Sequence, residues 1–233
     1  MIIRPTPRAW LVITQSDHAR LAGEVLAYWR ADGLPGNPRR DRILLAAREH
    51  DNGWIEEDDA THVGPEGQPL DFVEAPDHVR QRVWPRAVER IAGGDAYAAA
   101  LIALHALTIY GSQRGKPEWA GFFDGMAALM ERERGRSGVD RADLEADYRF
   151  VHAADRISLA LCTGWHDVLE SSGRRIILAG NTVQVSPSPF EQPVAMRVRA
   201  RRLARRPFAS SAELASALRA APPEWLEGWT RGE

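Results

Sequence analysis

Apolar and polar positions along the chain follow two rhythms. Ile2-Ile3 and Trp10-Leu11-Val12-Ile13 are runs of β-formers separated by Pro5-Thr6-Pro7, which predicts a short β-hairpin over the first 14 residues. From there to about Ser171 apolar residues recur at intervals of three and four, the period of amphipathic helices. The first helix should open at Thr14-Gln15-Ser16-Asp17, where Thr14 and Asp17 have capping-box-like spacing with Asp in place of Glu, and run to about Trp29. The second is announced by Asn37-Pro38, an N-cap followed by Pro at the first helical position, and ends at Asn52-Gly53. Residues 54–76, acidic and rich in Gly and Pro, read as a long surface loop, with Glu56-Glu57-Asp58-Asp59 as a solvated acidic stretch. Further helices fall near 77–92, 95–110, 117–134 and 140–170.

Beyond residue 172 the rhythm changes. Arg175-Ile176-Ile177-Leu178 and Thr182-Val183-Gln184-Val185 flank Gly180-Asn181, a hairpin signal. The stretch Ala195 to Arg201 alternates Arg with small or apolar residues, the period-two pattern of a half-buried strand. Ser210-Ser211-Ala212-Glu213 opens a last helix through a capping box. Trp225 and Trp229 sit at helical spacing and read as docking the tail onto the body. The simplest assembly is a mainly α (α+β) fold in one domain, 1–233. It has a helical core over 14–172, and residues 1–13 and 173–233 add a small antiparallel sheet and a C-terminal helix.

Composition narrows the class. Apolar residues make up 44% and charged residues 27%, which excludes wholesale disorder. A net charge of −2 excludes a whole-molecule polyanion binder. The single cysteine, Cys162, suits a reducing compartment, and no apolar run is long enough to cross a membrane or to act as a signal peptide, so a cytoplasmic protein is expected. One local exception is the run Arg197, Arg199, Arg201, Arg202, Arg205 and Arg206. It lacks interleaved aromatics other than Phe208, and reads as a charged, solvent-facing strand edge before it reads as a nucleic-acid contact.

The chemistry lies where polar residues interrupt apolar helix faces. His18 leads the stripe Leu21, Ala22, Val25, Trp29, and Ile43 and Ala47 share a face with His50 and Asp51. Leu101 and Ile102 continue into His105, and Val151 continues into Asp155, Leu159 and Cys162. These spacings turn each polar group toward the core. A buried carboxylate is expensive unless it is paired or coordinates a metal. Two inward carboxylates and three inward imidazoles therefore suggest a shared divalent cation, and N/O donors of this kind suit Mn, Fe, Co, Ni or Zn. The plainer reading of each residue alone is a hydrogen-bonded core histidine or a helix-end aspartate.

Leu44-Leu45-Ala46-Ala47-Arg48-Glu49-His50-Asp51-Asn52-Gly53 resembles the helix that ends in the His-Asp doublet of the HD superfamily of metal-dependent phosphohydrolases. His18 matches that signature's upstream His, Asp155 in Ala153-Ala154-Asp155-Arg156-Ile157-Ser158 its distal Asp, and His105 a further His of dinuclear members. The chain is also similar, nearly throughout, to a bacterial family designated domain of unknown function 3891. The opening through Thr14-Gln15-Ser16-Asp17-His18-Ala19, the His50-Asp51-Asn52-Gly53-Trp54 segment and Pro187-Ser188-Pro189-Phe190 carry that likeness.

The first resemblance implies an HD-like helical bundle in which His18, His50, Asp51 and Asp155 hold a divalent transition metal. It also implies hydrolysis of a small phosphorylated molecule: a phosphomonoester, phosphodiester or nucleotide. Asp51 would orient the attacking water, and Arg48, Arg149 or Arg156 would offset phosphate charge. Trp54 would wall the pocket or serve as a structural core residue. Glu49 points about 100° from His50 and stays outside the site. No Gly-Tyr-Pro sequence follows His105, which departs from the cyclic-dinucleotide hydrolases, and a second metal would need His78 or His152. Two other readings stand beside this one. One is an HD-type diiron oxygenase, for which His105 would count as a ligand. The other is a non-catalytic metal- or ligand-binding regulatory module. An oligomer built through sheet edges is possible in any of them.

Overall fold

The computed structural model describes residues 1–232. The β-formers at the N-terminus pair as β1 (Ile2–Pro5) and β2 (Ala9–Ile13). Thr14 then caps α1 (Gln15–Leu26), its side chain accepting from the Asp17 amide. The next helix, α2 (Arg40–Glu49), starts two residues past Pro38. Asn37 turns the chain into it instead, its Oδ1 accepting from the Arg39 amide at 2.8 Å. A 3-10 turn, Asn52–Trp54, leads into the short α3 (Ile55–Asp59).

That short helix corrects the expectation of a solvated acidic loop. Glu57 and Asp58 are buried. Arg82 donates to Glu57 at 2.9 and 2.7 Å, and Asp58 accepts from the Gln15 amide at 2.7 Å and pairs with the amino group of Met1 at 2.6 Å. Burial is tolerable because each carboxylate has a charged partner.

Four longer helices follow: α4 (Asp77–Ala92), α5 (Ala96–Ile109), α6 (Ala120–Ser137) and α7 (Arg141–Thr163). α5 is apolar nearly all round and is the central helix, packed by α2, α4, α6 and α7. The chain then forms β3 (Leu169–Ser171), β4 (Arg174–Ala179), β5 (Thr182–Ser186), β6 (Ala195–Ala204), α8 (Ser211–Ala220) and β7 (Pro223–Gly232).

The strands overturn the expected architecture. They form one seven-stranded sheet in the order β1-β2-β6-β7-β5-β4-β3. All pairings are antiparallel except β5 with β7, which run parallel. The sheet is mixed and curls as a half-barrel against α7 and α1. It is not a small antiparallel appendage, and the fold is a mixed α/β arrangement rather than an HD helical bundle.

The physical cause is visible in β7. Its residues were expected to be helical because Trp225 and Trp229 are four apart, but positions i and i+4 share a face in a strand as well as in a helix. Both tryptophans lie on the outer sheet face, 50% and 56% exposed, rather than docked on the body. β6 is likewise an interior strand and not an edge. Its outward arginines are offset by neighbours: Arg197 pairs with Glu227 at 3.0 Å and Arg202 with Glu224 at 2.6 Å, and the Arg197 guanidinium lies 4.3 Å over the Trp225 ring.

Two glycines allow the close approaches that set the centre of the molecule. A Cβ on Gly23 of α1 would lie 2.8 Å from the Arg48 Cβ of α2. A Cβ on Gly53 would lie 1.9 Å from the Val83 carbonyl oxygen of α4. Bare backbone at these positions lets α1 and the turn after α2 pack without a spacer.

Candidate metal centre

The helices that make these approaches carry the polar residues. His18 is on α1, His50 and Asp51 end α2, His105 is on α5 and Asp155 is on α7. All five are buried, and they converge. Asp155 Oδ1 lies 3.0 Å from His18 Nε2 and 3.4 Å from His50 Nε2, and Asp155 Oδ2 lies 3.9 Å from His105 Nε2. Asp51 Oδ2 lies 3.4 Å from His50 Nε2 and 3.8 Å from His18 Nε2. Their ligand atoms form two overlapping groups that share His50, each contained within 4.8 Å, and these could hold a metal ion. Donors bound at about 2.0–2.2 Å stand about 3.0–3.4 Å from one another, so most of these separations are those of atoms sharing one cation.

Hydrogen bonding fixes which nitrogen of each ring faces inward. His50 Nδ1 donates to the Ala47 carbonyl at 2.8 Å, because a carbonyl can only accept. Ser158 donates its hydroxyl proton to the Asp155 carbonyl at 3.0 Å, so its contact with His18 Nδ1 at 2.8 Å must be donated by the ring. His105 Nδ1 lies 3.1 Å from the Tyr148 hydroxyl. Each Nδ1 is thus engaged, and each Nε2 is turned toward carboxylate oxygens. His50 Nε2, fully buried, has no hydrogen-bond partner of acceptable geometry. A neutral imidazole lone pair facing a carboxylate is repulsive unless a cation or a proton lies between them. This donor set therefore fits a divalent cation, whose charge two carboxylates balance.

The protonation equilibria carry the same imprint. Burial pulls the His50 pKa down, but the Asp51 and Asp155 carboxylates outweigh it and hold it well above the usual value. Burial pushes the Asp155 carboxyl up, but the adjoining His18, His50 and His105 imidazoles outweigh it and hold it well below the carboxylate range. His105, farther from the carboxylates, is pushed down to about 3, chiefly by burial.

The cluster opens onto a cavity of about 220 Å³, lined by His18, Asp51, His105 and Asp155 on one side. Trp54, Trp84 and Tyr110 form part of the wall, and Phe72 and Trp165, stacked with ring centroids 6.3 Å apart, form another. The Tyr110 phenol is raised to about 12, mainly by burial. Two arginines reach the cavity, Arg156 and Arg80.

All five expected metal-site residues are therefore brought together. Of the three expected arginines only Arg156 lines the cavity. Arg48 is exposed and pairs with Glu49 at 3.5 Å, and Arg149 donates to the Asp32 carbonyl at 2.8 Å and lies over Phe150. His78 is exposed, while His152 contacts Ser171 Oγ at 2.8 Å with its ring 6.4 Å from that of His105. Sequence reading missed Arg80, Trp84, Gln15, Phe72, Tyr110, Trp165 and the orienting Ser158. Arg80 and Trp84 lie one turn apart on α4, and Ser158 one turn from Asp155, but such spacings are common on any helix.

Among the described residues no helix is long and apolar enough to cross a membrane. No curated protein and no solved structure matches the chain. A family model described as a protein of unknown function matches residues 1–205, which bears out the second of the two resemblances read from the sequence. The chain belongs to that family, DUF3891.

Proposed function

We propose that the protein is a metal-dependent hydrolase of phosphate esters, with His18, His50, Asp51, Asp155 and His105 as candidate ligands of a divalent transition metal. The observation that carries this reading is the convergence of Nε2 lone pairs on two buried carboxylates beside a cavity. A bound divalent cation would supply Lewis-acid polarisation of a phosphoryl oxygen and a water of lowered pKa. His18 and His50 hold fixed tautomers through Ser158 and the Ala47 carbonyl, so their donor nitrogens need no reorganisation on metal binding. Asp51 is the slightly less enclosed carboxylate and stands farther from His18 than Asp155 does, and it is the group that would orient a water and accept its proton. The aromatic walls limit bulk water around the reacting phosphoryl group.

Two measurements test this. The first is elemental analysis of the purified protein before and after incubation with Mn, Fe, Co, Ni and Zn. About one equivalent of a transition metal per chain is expected for a single shared site. A protein that stays metal-free overturns the reading, and close to two equivalents of iron moves the oxygenase reading ahead of it. The second is turnover of phosphate esters under the metal that binds. Asp51→Ala should abolish it while the protein remains folded, and equal turnover in the variant removes the mechanism.

A further inference from the structure

Several residues that line the cavity beside the metal cluster carry a buried hydrogen-bond donor without an acceptor. Arg156 and Arg80 are two of them, and the Nε of each is buried without a partner. The indole Nε1 atoms of Trp54 and Trp84, also lining residues, are likewise buried and unpartnered. Arg80 is held in place from behind: another guanidinium nitrogen pairs with Asp77, and the group lies 5.7 Å over the Trp119 ring. Arg156 forms no ion pair among the described residues. The only carboxylates in the lining, among the described residues, are Asp51 and Asp155 of the metal cluster. One unpartnered acceptor is present, the buried Gln15 Oε1.

Buried N–H groups without acceptors are rare and costly, and charged ones more so. Four of them on residues around one cavity, two on guanidinium groups, describe the complement of an oxyanion with several free oxygens. The metal charge is already balanced by Asp51 and Asp155, so the arginines remain for the ligand. The cavity, at about 220 Å³, is smaller than a typical small-molecule pocket of roughly 300–1,000 Å³. It has room for a phosphoryl group and one modest alcohol, not for two.

We infer that Arg156, Arg80 and the indoles of Trp54 and Trp84 form an oxyanion cradle beside the metal cluster, and that the site takes a small phosphomonoester rather than a phosphodiester. A monoester presents three non-bridging oxygens to these donors and the metal. A diester presents two, and its second alcohol meets the aromatic wall. This assignment rests on the hydrolase reading for its substrate, but the cradle itself is a binding site that can be measured without turnover.

The test is calorimetric titration of the whole protein, with and without Mn²⁺, using inorganic phosphate and dimethyl phosphate as probes. Hydrolysis of 4-nitrophenyl phosphate and of bis(4-nitrophenyl) phosphate is followed in parallel. Phosphate should bind at least about tenfold more tightly than dimethyl phosphate, and Arg156→Gln should lose about tenfold or more of the phosphate affinity. Arg80→Gln should weaken phosphate in the same direction, and Arg156→Lys, which keeps charge but not the guanidinium fork, should fall between wild type and Arg156→Gln. Thermal melts confirm that the variants are folded. Equal affinity for the two probes, or unchanged phosphate affinity in folded Arg156→Gln, overturns the cradle. Selective phosphate binding without hydrolysis of either ester leaves the cradle standing and removes the hydrolase reading. Equal hydrolysis of both esters does the reverse.

Discussion

His18 Nε2 lies 3.0 Å from Asp155 Oδ1, across 137 residues of sequence, and Ser158 holds the other nitrogen of the same ring. Ser158 is one turn beyond Asp155 on α7, so a single helix supplies both a carboxylate for the cluster and the group that orients the imidazole facing it. The buried seam between α1 and α7 thereby sets distance and tautomer together.

Ser158→Ala removes the acceptor for the His18 Nδ1–H while leaving every metal-ligand candidate in place. Metal affinity should fall by about 10–100-fold, the usual effect of deleting a hydrogen-bond partner behind a ligating histidine. Competition with a chromophoric chelator measures it. An unchanged affinity would mean that Ser158 contributes only packing.

Asp155→Asn keeps the size of the side chain and removes the one carboxylate that faces all three imidazoles. The variant should retain less than about a tenth of the wild-type metal after dialysis, because the remaining set holds a single negative charge. Plasma mass spectrometry reads the metal content. Wild-type content in the variant would show that Asp155 is not a ligand.

Gly53→Ala should destabilise the protein by at least about 1–3 kcal/mol, since the added methyl has backbone rather than a movable side chain in its way. The contact is with the Val83 carbonyl oxygen at 1.9 Å, so α4 or the Asn52–Trp54 turn must shift. Urea denaturation measures the loss. Weakened metal binding in the same variant would follow from displacement of Asp51, two residues earlier.

Glu57 gives a pH dependence separate from the metal cluster. Hydrogen bonds from Arg82, stronger than the upward push of burial and reinforced by Arg86, hold its pKa below the usual value. The folded chain therefore binds this proton less tightly than the unfolded chain, whose Glu titrates near about 4.3. The stabilisation is complete above that pH and is lost as pH falls through the lower folded value. Glu57→Gln should lower stability at neutral pH and flatten the stability profile between roughly pH 5 and 3. Profiles that fall in parallel for both proteins would count against the assignment.

What the sequence disclosed and what it concealed divide along physical lines. His18, His50, Asp51, His105 and Asp155 were legible because helical period alone says which side chains turn inward, and five inward polar groups need a common partner. The caps at Thr14 and Ser210 were legible because capping is local chemistry. The cavity walls were not. Phe72 comes from a single 3-10 turn, Trp165 from the loop after α7 and Arg80 from a helix with no inward polar break, so only tertiary packing brings them to His105 and Asp155. The sheet was misjudged for a related reason. β3 is three residues long, and the spacing of Trp225 and Trp229 is consistent with either period. The buried Glu57 and Asp58 were hidden because their partners, Arg82, Arg86 and the Met1 amino group, are far away in sequence.

β7 comes last in sequence among the strands yet lies at the middle of the sheet. Before it arrives there are two separate ribbons, β1-β2-β6 and β5-β4-β3, each with a raw edge where the seam will close. β7 thus joins two halves through pairings with near neighbours in sequence, while the farthest pairing, β2 with β6, lies inside the first ribbon. A chain shortened to residue 222 would carry β5 and β6 as two adjacent open templates for other molecules. It should self-associate even with the metal-binding helices intact.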